Sequence, residues 1–269
     1  MKVLSKVYNT LIFAFLYAPI VVLIVFSFNK AKSQSKWTGF SLKWYEKLFE
    51  NEEILDALKV TLEIALLSAL IATVIGVLSA IGIFAMNGKL RKTFLAVNNI
   101  PMVNPEIVTG ISLMLLFVFI YRAVGVLQPG FFTLLIAHVT FCIPYVVLQV
   151  MPKLRQLDPH LYEAAVDLGC PPAKAFMKVV LPEITSGVLT GALMAFTMSL
   201  DDFVISYFNS GSSAQTLSVL IYNMVKKPIT PEINALSTLM FGTILLLLIL
   251  INIRQIKDMN TAKTRHKNQ

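Results

Sequence analysis

The sequence predicts an all-α integral membrane protein of six transmembrane helices, with both ends of the chain on the cytoplasmic side. Three observations predict it. Apolar residues fill 56% of the 269 positions and charged residues only 14%, with a mean hydropathy of +0.72, which is more apolar chain than one soluble core needs. That apolar chain is gathered into runs of roughly 18–25 residues, the length that crosses a ~30 Å hydrocarbon layer. The basic residues, which leave a net charge of +8, stand in short clusters beside the runs, as orientation signals do. No basic patch interleaved with aromatic residues marks a nucleic-acid surface, so the partner implied by the charge is membrane lipid and not nucleic acid.

The six runs are residues 8–28, 58–86, 94–121, 130–151, 184–208 and 235–253. Lys2 and Lys6 precede the first, and Lys89, Arg91 and Lys92 follow the second. Lys153, Arg155, Lys174 and Lys178 separate the fourth from the fifth, and Arg254, Lys257, Lys263, Arg265 and Lys267 follow the sixth. On the other side, lysines 30–47 are balanced by Glu46, Glu50, Glu52, Glu53 and Asp56, and the two later loops carry only Arg122, Lys226 and Lys227. The positive-inside rule therefore places the first set in the cytoplasm. Nothing like Ala-x-Ala follows the first run, which reads as an uncleaved span. The chain divides into that span with an outer segment (1–57), a five-helix core (58–253) and a basic cytoplasmic tail (254–269).

The outer segment holds both tryptophans, Trp37 and Trp44. Leu42, Tyr45, Leu48 and Phe49 recur at helical spacing, which predicts a short amphipathic helix at the outer interface, its rings at headgroup depth. It serves either as a surface anchor or as a brace for an external partner. In the third run, Pro101 and Pro105 disrupt the helical hydrogen-bond ladder and predict a bent or unwound stretch beside Glu106. Cys142 falls inside the fourth run and Cys170 in the cytoplasmic segment after it, so neither has a metal or redox partner spacing. His138, on an apolar run, reads as a packed, hydrogen-bonded imidazole.

The cytoplasmic segment 158–182 is polar and basic within an apolar chain. Asp158 followed by Pro159 is a helix-starting signal, an acidic cap with proline at the first helical position, and Leu161, Ala164, Ala165 and Leu168 then place an apolar stripe on a short helix. Gly169 ends it. Pro171 and Pro172 open a second helix with Ala175, Phe176, Val179 and Val180 on one face, and Pro182 predicts a break before the fifth run. Small residues at Ala164, Ala165 and Gly169 admit a partner backbone, while Glu163 and Asp167 offer charge for register. An amphipathic linker at the membrane surface would share much of this pattern. There is no Gly-x4-Gly-Lys-Ser/Thr phosphate cradle and no catalytic constellation in a soluble segment. The chain is predicted to be no enzyme and to hold no cofactor or metal; any ATP and Mg belong to a partner.

Ionisable groups inside spans are costly unless they face a cavity or a partner. Glu63, Glu106, Asp201 and Asp202 qualify. Measured at 1.5 Å per residue from the cytoplasmic starts of their runs, Glu106 and Asp201 lie roughly 20 and 28 Å in, in the outer half of the bilayer. Asp201 and Asp202 point about 100° apart on a helix, so at most one of them faces the pathway. With no basic residue inside the spans nearby, this cavity is anionic, and Phe203, Tyr207, Phe208, Tyr121 and Tyr222 supply cation–π faces. That combination suits an organic cation with separated ammonium groups. The bland alternative is that these carboxylates fix helix ends or pair with a partner chain.

The spacing Glu163-Ala164-Ala165, three residues, Gly169, nine residues, Val179-Val180-Leu181-Pro182 resembles the coupling loop of type I ABC-importer permeases, departing mildly at Val179, where isoleucine is usual. Further strings, including Leu16-Tyr17-Ala18-Pro19-Ile20, Ser199-Leu200-Asp201-Asp202 and Ile221-Tyr222-Asn223-Met224-Val225-Lys226, resemble the second permease of spermidine/putrescine importers, over roughly residues 8–255. The resemblance implies the type I permease fold in a prokaryotic inner membrane, with the first helix wrapping a homologous permease in a heterodimer. It also implies a cytoplasmic ATPase dimer gripping Glu163, Ala164, Ala165, Asp167, Gly169, Leu181 and Pro182, and an extracytoplasmic binding protein that delivers polyamine. Permeases for iron, thiamine or sulfate share the loop. An ion-gradient-driven carrier and a membrane scaffold without transport are the readings from other classes.

Overall fold

A computed structural model describes residues 2–31, 36–226, 232–246 and 249. The described residues are almost wholly helical: α1 (Lys2–Ser27), α2 (Lys43–Glu50), α3 (Glu52–Ala85), α4 (Gly88–Val103), α5 (Glu106–Val124), α6 (Phe131–Gln156), α7 (Pro159–Asp167), α8 (Pro172–Ala175), a π-helical segment (Phe176–Val180), α9 (Leu181–Asp201), α10 (Val204–Asn209) and α11 (Leu217–Val225). A twelfth helix, α12, spans Glu232–Leu246. Among the described residues, five helices are long and apolar enough to cross a membrane: α1, α3, α5, α6 and the continuous stretch Pro172–Asp201. The apolar α12 accounts for the described part of the sixth predicted span; its end at residues 250–253 and the basic tail lie outside the described residues.

The core is a three-helix packing of α3, α6 and α9. Their shared face is built of small and β-branched residues, among them Ala69, Ala72, Ala80, Val146, Val147, Val150, Ile184 and Ala195. In a bilayer apolar burial does not drive helices together, so association depends on close backbone approach and dispersion. Gly76 on α3 and Gly191 on α9 both face Val146 on α6: a Cβ at Gly76 would come within 2.7 Å of the valine side chain, and one at Gly191 within 3.2 Å of its Cα. α1 stands apart, with Leu11, Phe13, Phe15 and Leu16 exposed, a surface for lipid or protein but not for water.

Three expectations are corrected, and a fourth, the unwound stretch beside Glu106, forms: α4 stops, Asn104 and Pro105 are extended, and α5 starts at Glu106, although Pro101 stays inside α4. Pro105 drives Asn104 out of helical geometry (φ −73°, ψ 139°) and itself donates no hydrogen bond. The fifth span ends at Asp201, because Asp202 is extended (φ −64°, ψ 130°) and α10 opens after Phe203. There is no break at Pro182. The π segment carries α8 into α9, Leu181 N–H bonding Phe176 C=O, and this wider turn precedes a proline that an α-helical interior would resist.

The outer helix α2 is the third correction. It forms where predicted, but Trp44 and Leu48 are 2% and 3% exposed and pack on Ile54, Ala57, Leu217, Leu220, Ala235 and Leu236. Trp44 Nε1 donates to Asn29 C=O at 2.7 Å. The helix thus ties the chain after α1 to α3, α11 and α12, while Leu42 and Phe49, expected on the same apolar stripe, are exposed.

Candidate transport path and docking helix

Where α9 stops, two neighbouring carboxylates part. Asp201 is exposed. Asp202 turns inward, its side chain 3% exposed, and accepts from the backbone N–H groups of Ile205 at 3.2 Å and Ser206 at 2.7 Å. It caps α10, satisfying donors that a short helix in an apolar setting would leave bare. The expectation that Asp202 lines the path is corrected to this capping role, whereas Asp201 keeps the exposed position. Glu106 is exposed in the first turn of α5 and close enough to both aspartates to interact with them electrostatically. Its depth cannot be measured along an unbroken third span, since none exists; the α4–α5 break brings it to the aspartates instead. Glu63, on α3, is exposed and forms no ion pair among the described residues.

Phe203, Tyr207 and Tyr222 come together as expected. Their ring centroids lie 4.7 Å apart for Phe203–Tyr222, 5.5 Å for Phe203–Tyr207 and 5.6 Å for Tyr207–Tyr222. Both tyrosines are about two-fifths exposed (42% and 41%), so their faces are available. An open cavity of about 540 Å³ adjoins them, lined by Met114, Tyr207, Phe208, Gln215 and Asn223 among others. Sequence reasoning missed Lys226, whose Nζ stands 4.2 Å from the Tyr222 ring centroid and 5.9 Å from that of Tyr207. Its position one turn beyond Tyr222 was the available signal. Tyr121, expected near these groups, makes no ring contact among the described residues.

The polar groups behind this face are also ordered. His138 Nδ1 lies 2.7 Å from Ser199 Oγ and Nε2 3.0 Å from Ser206 Oγ. Asn209 Nδ2 donates to Gly110 C=O on α5 at 3.2 Å, and Thr133 Oγ1 on α6 donates to Asn209 C=O at 3.1 Å. A Cβ at Gly110 would come within 3.2 Å of Phe208, so α5 and α10 touch closely there. Among the described residues, no three His, Cys, Asp or Glu side chains cluster so as to hold a metal ion.

On the far side of the π segment, α7 forms as predicted. Asp158 caps it, accepting from His160 N–H at 3.0 Å, with Pro159 in the first turn. Its end is a Schellman motif: Cys170 N–H bonds Ala165 C=O at 3.1 Å and Gly169 N–H bonds Val166 C=O at 2.9 Å. The motif requires a left-handed residue, and Gly169 has φ +83°. From His160 to Asp167, no side chain of α7 is buried. Glu163, Ala164, Asp167, Gly169 and Pro182 are exposed and Ala165 is half-buried; Leu181 instead packs against the main core. Leu168 (89% exposed) and Met177 (61%) add apolar area, and His160 Nδ1 stands 3.5 Å from Glu163 Oε2. The helix is thus capped at both ends and little covered by its own chain.

Membrane-length helices packed around small residues, with a carboxylate-and-aromatic face among them and a capped helix held outside, describe a multi-pass membrane protein. Residues 72–258 match the family of binding-protein-dependent transport system inner membrane components, and the chain belongs to that family. It is 40% identical over 235 residues to the putrescine transport system permease protein PotI of Escherichia coli (strain K12), covering 86% of this chain and 83% of that protein. It is 39% identical over 247 residues to the spermidine/putrescine transport system permease protein PotC of Haemophilus influenzae, covering 92% and 94%. Among solved structures it resembles a bacterial ABC transporter that imports the polysaccharide alginate, with a TM-score of 0.73 over 95% of both chains at 18% identity. The MetNI methionine ABC transporter gives 0.56 over 80% of this chain and 98% of that one at 21% identity. The fold is that of an ABC-importer permease; the protein is a multi-pass inner-membrane transport subunit, not an enzyme.

Proposed function

We propose that this chain is one of two homologous permeases that form the translocation path of a polyamine importer, worked by a separate ATPase dimer and supplied by an extracytoplasmic binding protein. The observation that carries the substrate is the face at the α9–α10 joint. Asp201 and Glu106 give it negative charge, and Phe203, Tyr207 and Tyr222 give it ring faces, one of which already holds an ammonium, that of Lys226, at 4.2 Å. A flexible dication or trication with ammonium groups spaced along an alkyl chain suits carboxylates beside π-faces. An anion such as sulfate meets repulsion from the same carboxylates. The relatives named for putrescine and spermidine/putrescine transport support the reading.

The coupling follows from α7. Its exposed apolar residues and its Glu163 and Asp167 carboxylates fit a groove on a cytoplasmic ATPase subunit, and the continuous helix Pro172–Asp201 joins that contact to the joint at Asp202. Closure of the ATPase on ATP would bias the bundle between two packings, opening the path alternately to each side. ATP and Mg act in that partner. The test is reconstitution of this chain with its partner permease, the ATPase and the binding protein in liposomes. ATP-dependent accumulation of labelled spermidine or putrescine is expected. ATPase stimulation by the binding protein with some other solute, and none with polyamines, would overturn the assignment.

A further inference from the structure

One imidazole serves both sides of the α9–α10 joint. His138, on α6, is 1% exposed. Its Nδ1 meets Ser199 Oγ, in the last turn of α9, at 2.7 Å, and its Nε2 meets Ser206 Oγ, in α10, at 3.0 Å. Ser199 also accepts from Ser68 Oγ on α3 at 2.9 Å, so the array runs from α3 through α9 and α6 to α10. Asp202 Oδ2 stands 3.6 Å from the same Nε2 while capping α10. Between the two serines lie Asp201 and Phe203, and Tyr207 follows directly.

A neutral imidazole offers one N–H and one lone pair at opposite ends, and a hydroxyl either donates or accepts, so both bonds can be made at once. Packing alone does not require this: the three-helix core elsewhere is closed by apolar side chains such as Ala72, Val146, Phe141 and Ile184. A two-ended polar group fixes the distance between two helix segments that the extended backbone at Asp202 leaves free to hinge. A leucine of similar bulk would fill the space and fix nothing.

We infer that His138 is a positioning residue for transport: by pinning the last turn of α9 and the whole of α10 to α6, it sets the joint angle that holds Asp201 and the Phe203 and Tyr207 rings on one face. It does not touch the solute. The inference rests on the polyamine reading for its substrate and on the hydrogen bonds alone for its geometry.

The test uses three variants in the reconstituted complex. The amide of Asn reaches roughly where Nδ1 lies and that of Gln roughly where Nε2 lies, so His138→Asn keeps the tie to α9, His138→Gln keeps the tie to α10, and His138→Leu keeps neither. Two readouts are taken per assembled complex: KM and Vmax for labelled spermidine, and backbone hydrogen exchange of residues 203–209. His138→Leu should raise KM about tenfold with Vmax within about threefold, and should speed exchange in α10 while the α3–α6–α9 core stays protected. His138→Gln should restore most of both. Wild-type KM in all three variants overturns the inference, as does a Gln variant no better than Leu, or exchange rising equally throughout the bundle. Should Leu fail to assemble, the Asn and Gln comparison decides. If the wild-type complex carries no polyamine, the substrate reading fails by itself and the exchange data judge the joint.

Discussion

At the scale of single residues, Asp201 and Asp202 show how one backbone step assigns opposite tasks. The sequence shows an acidic pair at the end of an apolar run, and helical geometry alone says that the two diverge. It does not say that the helix stops between them. The available signal was that an aspartate is a good capping residue for N–H groups three and four residues on, here Ile205 and Ser206, but the apolar run around it favoured a continuous span. Asp201→Asn should lower polyamine kcat/KM by about tenfold or more with assembly intact, read from uptake per complex. Asp202→Ala should instead act on stability, costing about 0.5–2 kcal/mol for a lost cap, read as a lower unfolding midpoint in detergent. Tyr222→Leu keeps bulk and removes the π-face, so uptake should weaken by a factor consistent with about 0.5–2 kcal/mol, whereas Tyr222→Phe should be nearly silent.

At the scale of elements, α7 was legible because its signals are local: Asp158, Pro159 and Gly169 act within a turn of themselves. Gly169→Val should disrupt the Schellman end, since a β-branched residue at positive φ is a conformational outlier. Substrate-stimulated ATPase should fall while the motor's basal rate is unchanged; equal stimulation in the variant would dissociate α7 from coupling. The α8–π–α9 passage was not legible, because Pro182 reads as a breaker unless a widened turn precedes it, and nothing in periodicity reports an i→i+5 bond. α2 was legible as a helix and misassigned in its partner, as amphipathic spacing does not say whether lipid or protein covers the apolar face. With Trp44 buried among Ile54, Leu217 and Leu236, Trp44→Ala should cost about 3–5 kcal/mol, seen as a large fall in thermal stability. A pure surface anchor would show little change.

For the whole molecule, the fold class was readable because a bilayer imposes length and charge rules on every span, and among the described residues five membrane-length helices and the shorter apolar α12 follow them. The arrangement of the core was not, since which faces meet depends on Gly76, Gly191 and Val146 fitting across three helices. Orientation is open to direct test with the two natural cysteines. Cys142 is 0% exposed, whereas Cys170 is partly accessible beside Gly169. A membrane-impermeant maleimide should therefore modify Cys170 from the cytoplasmic face, more slowly when the ATPase is bound, and leave Cys142 untouched from either side. Labelling of Cys170 from outside would invert the topology and with it the docking role of α7.

The π segment means that the stretch Phe176–Val180, 5 residues long, carries one amino acid more than a regular winding of that height would hold. Such a surplus is a swelling in the winding, like an extra coil taken up within one turn of a spring. Excising Val179 would leave a regular turn of the same height, so everything on its cytoplasmic side should keep its angle and its place. The shortened protein should still insert, seat its motor and answer ATP hydrolysis with transport; loss of that answer would mean that the wider turn itself is needed.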